Sequence, residues 1–283
     1  VQALPADPEA RALYLFPTTA LAQDQAAALT GLLRALEAVD QVPVRTYDGD
    51  TPRAERRAIR DQARILITNP DMLHTGVLPH HPRWADLFDH LRWIVVDELH
   101  VYRGIFGSNV ANLFRRLRRL CRFYGADPRV ILTSATIANP KELAERLIEA
   151  PVRLVSPDLD GSPRAEKHIV IFNPPVVDPA LGIRRAYTLE AARLANQFLQ
   201  RGVQTAVFAR ARLTTEVMLG YIRDAYEQGG GAREAVRGYR GGYLPLERRA
   251  IERGLREGTV RGVVATNALE LGVDIGQLGA AVV

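Results

Sequence analysis

The chain has 283 residues, 47% of them hydrophobic, and 37 basic against 32 acidic side chains give a net charge of +5. That content fits one large or two ordinary folded domains and excludes a disordered chain. No apolar run reaches the length of a membrane span, the first residues VQALPADPEA lack the pattern of a signal peptide, and the single cysteine, Cys121, excludes an internal disulfide or a cysteine-rich zinc site within this chain.

The expected setting is therefore a reducing cytoplasm, with no membrane partner. The positive charge is nearly all arginine, the lysines being Lys141 and Lys167. Arginine grips phosphate bidentately, which suits a polyanionic partner, although an arginine-rich genome produces the same composition.

In chain order, ALYLF (12–16), ARILIT (63–68), RWIVVDE (92–98) and RVILTSAT (129–136) read as strands. LAQDQAAALTGLLRALEAV and NVANLFRRLRRLC between them read as helices, with apolar residues at three- and four-residue steps. The strands are apolar on both faces, as in a parallel sheet covered by helices, which implies right-handed crossovers. From about 151 to 183 the chain turns rich in proline, glycine and aspartate and reads as a linker, with HIVIF (168–172) as a strand of the second unit or a bridge to it.

Alternation then resumes with a helix over roughly 184–201, strand VQTAVFA (203–209), a helix over 211–227, strand AVRGY (235–239), helix LPLERRAIERGLREG, strand RGVVAT (261–266) and a closing AAVV. The expectation is an α/β chain of two tandem units: domain 1 over 1–155, a linker over 156–183, and domain 2 over 184–283, the first starting late and the second stopping early.

Ligands of open parallel sheets bind outside the carboxyl ends of the strands. The stretch IVVDELH puts Asp97 and Glu98 at such an end, followed by His100. In nucleotide hydrolases one acid there holds Mg2+, usually through water, and the other polarises the water that attacks the terminal phosphate. A strand closing in a solvated polar turn would look the same in isolation. Further stretches follow the other strands: LFPTTALAQDQ (15–25), TNPDMLH (68–74), TSAT (133–136), FARAR (208–212), YRGGYLPLERR (239–249) and ATNALELGVDIG (265–276).

In this order and context the motifs resemble those of a DExH-box helicase of the second helicase superfamily, built on paired RecA-like domains. Within that superfamily FPTTALAQDQ, TNPDMLH, VVDELHVYRGIFGSNVA and ATNALELGVDIG look most like the YprA/MrfA-type DNA helicases, which are linked to DNA repair. The resemblance implies ATP and Mg2+ as cofactors. Asp97 would bind the metal, Glu98 would be the catalytic base, and His100 would couple the nucleotide site to the second domain. Ser134 and Thr136 would relay between nucleotide and nucleic acid.

Pro17, Thr18, Thr19 and Gln23, at the entry to a helix, would touch the phosphate backbone, as would Asn69 and Pro70. In domain 2, Arg210, Arg240, Gly241 and Thr266 would grip the same strand, and Gly272 and Asp274 would face the nucleotide. The bland alternatives are a capped turn for Ser134 and Thr136, a sharp bend for Gly241-Gly242, and a surface histidine for His100.

The run Phe114–Leu120 tempts a DNA-binding reading. On a helix, however, Leu113, Leu117 and Leu120 share one face and the arginines another, so a solvated arginine face accounts for it. Two family motifs are missing. There is no G-x-x-x-x-G-K-[ST] phosphate loop, expected before Val1, and no arginine-finger motif, expected beyond Val283; truncation is the expected cause, and the printed chain alone is expected to hydrolyse ATP poorly. Thr19 stands where many relatives have lysine.

The expectation is an ATP-dependent 3′-to-5′ DNA helicase core. A non-catalytic nucleic-acid-binding module and an RNA helicase remain as alternatives, because backbone contacts rarely reveal a 2′-hydroxyl.

Overall fold

The computed structural model describes residues 3–159, 161, 166–266, 269 and 278–283. The chain divides into two compact units, Val1–Ser162 and Pro163–Val283.

In the first unit the elements run α1 (Ala3–Ala6), β1 (Arg11–Leu15), α2 (Thr19–Ala35), β2 (Val44–Thr46), α3 (Arg56–Gln62), β3 (Ile65–Thr68), α4 (Pro70–Met72), α5 (Ala85–Asp89), β4 (Leu91–Val96), α6 (Gly104–Phe123), β5 (Arg129–Leu132) and α7 (Pro140–Ile148). The five strands form one sheet in the order β2-β3-β1-β4-β5. Every pairing is parallel, for example Leu13 opposite Leu66 on one side and Ile94 on the other. A strand in the middle of such a sheet is covered on both faces, which is why β3 is buried at all four positions. Two apolar clusters cover the two faces, one around Leu13, Leu66, Phe88 and Leu117 and one around Ala12, Leu33, Ile65 and Ile67.

Helix α6 turns Gly107, Val110, Leu113, Phe114, Leu117 and Cys121 inward at helical spacing. Of its arginines, Arg119 and Arg122 are exposed as expected, but two are engaged: Arg118 donates to the carbonyls of Ile148 (2.8 Å) and Glu149 (3.1 Å), and Arg115 pairs with the Glu149 carboxylate. They therefore finish the C-terminus of α7, whose last carbonyls have no partner within the helix.

In the second unit a short antiparallel pair, β6 (Val176–Asp178) and β7 (Ile183–Arg184), precedes α8 (Tyr187–Gln200), β8 (Thr205–Phe208), α9 (Arg212–Gln228), β9 (Val236–Tyr239), α10 (Pro245–Glu257), β10 (Gly262–Ala265) and β11 (Ala280–Val282). The four-stranded sheet has the order β11-β8-β10-β9 and is again wholly parallel.

The expected strand at HIVIF is not formed. Residues 168–172 have no strand partner among the described residues, and Ile169, Val170 and Ile171 are 80–97% exposed. Apolar β-branched residues supply the propensity, but a strand needs a neighbour to take its backbone hydrogen bonds. No helix among the described residues is long and apolar enough to cross a membrane.

Candidate functional site

In the first unit the candidate residues gather at the carboxyl edge of the sheet, on the loops after β1, β3, β4 and β5. After β1, Pro17 and Thr18 lead into α2, and Thr18 is its N-cap, its hydroxyl accepting the Leu21 amide at 3.4 Å. Thr19 opens the helix, and Gln23 lies one turn on, lining a cleft of about 300 Å³ with Thr46, Asp48 and Thr51 beside the edge strand β2. After β3, Asn69 caps α4 by accepting the Met72 amide at 2.8 Å, which leaves its NH2 group to donate outward. Pro70 is buried at the start of that helix, where its missing N–H costs nothing. Thr68 ties this loop to the one after β2 by donating to the Tyr47 carbonyl at 2.6 Å.

After β4 the chain turns sharply. The Asp97 amide still donates to Leu15 of β1 at 3.0 Å, and Glu98 then takes a left-handed conformation with φ 55°. A non-glycine residue held there stores roughly 1–2 kcal/mol of strain, which the surrounding bonds must hold in place. The Oδ1 atom of Asp97 accepts from the Glu98 amide at 2.9 Å and from the Thr133 hydroxyl. The Glu98 side chain is only 16% exposed. Burial, followed by the neighbouring Asp97 charge, raises the Glu98 carboxyl above the usual carboxylate range, and His100 partly opposes this.

His100 faces both ways: its Nδ1 lies 3.2 Å from Glu98 Oε2 and 3.3 Å from the Ala135 amide. One ring nitrogen cannot serve both. Carrying a proton it donates to Glu98; without one it accepts from Ala135.

Ser134 and Thr136 are exposed, and neither side chain makes a hydrogen bond among the described residues. The bonds that join the two loops instead come from Thr133 and Ala135, which sequence reasoning missed. Tyr102 was missed as well. It is 1% exposed, its hydroxyl has no partner among the described residues, and its phenol is pushed up by burial and by the charges of Asp97 and Glu98. Gly107 packs on it so closely that a Cβ there would lie 2.4 Å from the Tyr102 carbonyl oxygen.

The donor set suits Mg2+. Asp97 keeps Oδ2 free of any described bond, so one carboxylate oxygen is open to a hydrated cation. A hard ion that keeps most of its waters and takes one carboxylate plus phosphate oxygens fits such a site.

In the second unit the candidates again follow the strands. Arg210 is exposed after β8. Arg240, after β9, pairs with Glu216 at 2.6 Å and lies 4.9 Å over the Tyr243 ring. Gly241 and Gly242 form the turn beside it; Gly242 has φ 102°, and a Cβ on Gly241 would come within 3.3 Å of Arg212 Nη2. Thr266 follows β10, its amide donating to Tyr239 at 3.1 Å. Gly272 and Asp274 lie outside the described residues.

Residues 1–143 match the family described as DEAD/DEAH box helicase. The chain belongs to the DEAD/DEAH box helicase family. Among its relatives is the uncharacterized ATP-dependent helicase YprA of Bacillus subtilis (strain 168), 56% identical over 98% of this chain and 36% of that protein. Another is the ATP-dependent helicase HRQ1 of Saccharomyces cerevisiae, 42% identical over 97% of this chain and 26% of that protein. A solved structure of the DUF1998 helicase MrfA bound to DNA and AMPPNP matches with a TM-score of 0.91 and 55% identity, over 99% of this chain and 38% of that one.

The chain thus spans 26–38% of these relatives' length. The expected resemblance to YprA/MrfA-type DEAD/DEAH box helicases holds, and both units are parallel α/β folds of the RecA-like helicase type.

Proposed function

We propose that this chain is the core of an ATP-dependent DNA helicase, a cytoplasmic motor that steps 3′ to 5′ along one strand during DNA repair. One observation carries the reading. Asp97 and Glu98 sit at the carboxyl edge of a parallel sheet, one carboxylate fixed through a single oxygen and the other raised in pKa beside it, in a chain 55% identical to a helicase solved with DNA and AMPPNP.

Asp97 would present Oδ2 to Mg2+, and the bound metal would offset the charge on the ATP phosphates. Glu98 would take the proton of the attacking water, and His100 orients Glu98 from the side. Thr18, Thr19, Gln23 and Asn69 in the first unit, with Arg210, Arg240, Gly241 and Thr266 in the second, would hold the sugar-phosphate backbone. Pro17 and Pro70 would shape the turns that present them. Ser134 and Thr136, exposed beside the carboxylates, would relay nucleotide state to that grip. Gly272 and Asp274 belong to the same proposal for the nucleotide.

The natural gene product tests this. Glu98→Gln should bind nucleotide normally and lose roughly 100-fold or more in hydrolysis, since a positioned general base contributes about 10²–10⁴-fold. Unwinding of matched DNA and RNA duplexes bearing either a 3′ or a 5′ overhang reads polymer and polarity together. Hydrolysis by Glu98→Gln at the wild-type rate, or failure to unwind any DNA duplex, would sink the reading.

A further inference from the structure

The motif Thr-Ser-Ala-Thr draws attention to Ser134 and Thr136, yet the bonds converge on its first residue. The Thr133 amide donates to the Val96 carbonyl at 2.9 Å, and its own carbonyl accepts the Leu99 amide at 2.9 Å. Its backbone is therefore fastened on both sides of the Asp97–Glu98 turn. From that fixed point its hydroxyl donates to Asp97 Oδ1, the same oxygen that takes the Glu98 amide. Threonine is β-branched and stiff at χ1, so the hydroxyl position follows closely from the backbone.

We propose that Thr133 is a positioning residue for the metal-facing carboxylate: by occupying Oδ1 it fixes the rotation of the Asp97 carboxyl and reserves Oδ2 for the water shell of Mg2+. This rests on the reading of Asp97 as the Mg2+ residue. The Glu98 amide alone does not fix the carboxyl plane, because one hydrogen bond from the next residue leaves χ2 of an aspartate free to swing, and that torsion is broad. Two donors from two different loops fix the plane. The bond also joins the loop after β5 to the carboxylate itself, so motion of Ser134 and Thr136 is felt at Asp97 directly.

Partners that orient a metal ligand without touching the metal typically change metal affinity by 10–100-fold when removed. Thr133→Val keeps the shape and deletes the donor; Thr133→Ser keeps the donor. The measurement is Mg2+ titrated into the full natural protein with a fluorescent non-hydrolysable ATP analogue, reading the half-saturating Mg2+ for the metal-dependent part of binding, with Tm recorded alongside. Thr133→Val should raise the half-saturating Mg2+ by about 10-fold or more, leave metal-free binding of the analogue unchanged, and Thr133→Ser should fall within about 3-fold of wild type. In an Asp97→Asn background Thr133→Val should have no further effect on the Mg2+ requirement.

An unchanged Mg2+ requirement in a folded Thr133→Val, or an equal loss in Thr133→Val and Thr133→Ser, overturns the proposal. If Thr133→Val melts below the assay temperature, Thr133→Ala against Thr133→Ser makes the same comparison. Metal-independent binding by the wild-type protein, with no Mg2+ effect in Asp97→Asn, would instead overturn the underlying reading of Asp97.

Discussion

Nε of Arg240 lies 2.6 Å from Oε1 of Glu216, so the guanidinium expected to hold nucleic acid is already held by a carboxylate. Both side chains are partly exposed, which makes the pair worth little to stability. Its effect is on charge: Glu216 cancels Arg240 until a phosphate competes for it. Glu216→Gln should tighten single-stranded DNA binding at low salt several-fold with little change in Tm. Arg240→Ala should weaken binding and reduce the salt slope by about 0.7, one phosphate contact on a single strand. Fluorescence anisotropy across a salt series checks both, and weaker binding by Glu216→Gln would assign the carboxylate to positioning alone.

Glu98 should set the acid limb of the hydrolysis rate. Burial and Asp97 raise its carboxyl, so it keeps its proton to a higher pH than an ordinary glutamate. The base form is lost as pH falls through that raised value, and hydrolysis should decline while exposed carboxylates are still ionised. The stability sign is opposite. A raised carboxyl pKa stabilises the fold when protonated, and that gain disappears as pH rises through the folded value. Glu98→Gln should therefore melt higher than wild type at neutral pH and match it more closely in acid. A pH–rate profile and Tm measured across pH 4–8 would show both, and a Glu98→Gln that melts lower at neutral pH would contradict the raised value.

Much of this site was legible because its chemistry sits on loops fixed by strands that sequence reveals well. ARILIT and RWIVVDE are apolar on both faces, and only a covered parallel strand requires that, so TNP and DE follow as strand-end loops. Other features depend on contacts between distant residues. Strand β2 spans only Val44–Thr46 with Arg45 exposed, too short to show a pattern, yet it sets the edge of the sheet. HIVIF has the composition of a strand and lacks a neighbour. Thr133 is an ordinary strand-end residue until Asp97, 36 positions earlier, is seen on the adjacent loop. Arg115 and Arg118 of α6 read as solvated because their partners, Glu149 and the end of α7, are distant in sequence.

Tyr102 should gain from losing its hydroxyl. The group is buried without a described partner, so it bears its desolvation cost with no hydrogen bond in return. Tyr102→Phe keeps the ring against Phe106, 5.6 Å away between centroids, and removes the orphan. Stability to urea should be unchanged or rise by about 1 kcal/mol. A loss of more than about 1 kcal/mol would mean that the hydroxyl is satisfied in solution.

Arg64 should matter to the fold and not to the site. It is 8% exposed, and its guanidinium is spent on carbonyls: Ala10 at 3.0 Å, Gln41 at 3.1 Å, Leu4 at 2.6 Å and Asp7. Desolvation, then the nearby Arg11 charge, lower its pKa against a smaller opposing pull from Asp7, although an arginine stays charged at neutral pH. The side chain thus fastens the segment before β1 and the loop before β2 to the start of β3, at the edge of the sheet opposite Asp97 and Glu98. Arg64→Met fills similar space but strands four acceptors, and charged hydrogen bonds contribute about 1.5–3 kcal/mol each before relaxation and water recover part of it. A net loss of about 2–4 kcal/mol by urea denaturation is expected, with Arg64→Lys intermediate because one ammonium cannot span four carbonyls. The half-saturating Mg2+ for nucleotide should stay at the wild-type value in folded Arg64→Met, which separates this clamp from Thr133. A shift there would mean that the amino-terminal edge of the sheet bears on the carboxylates after all.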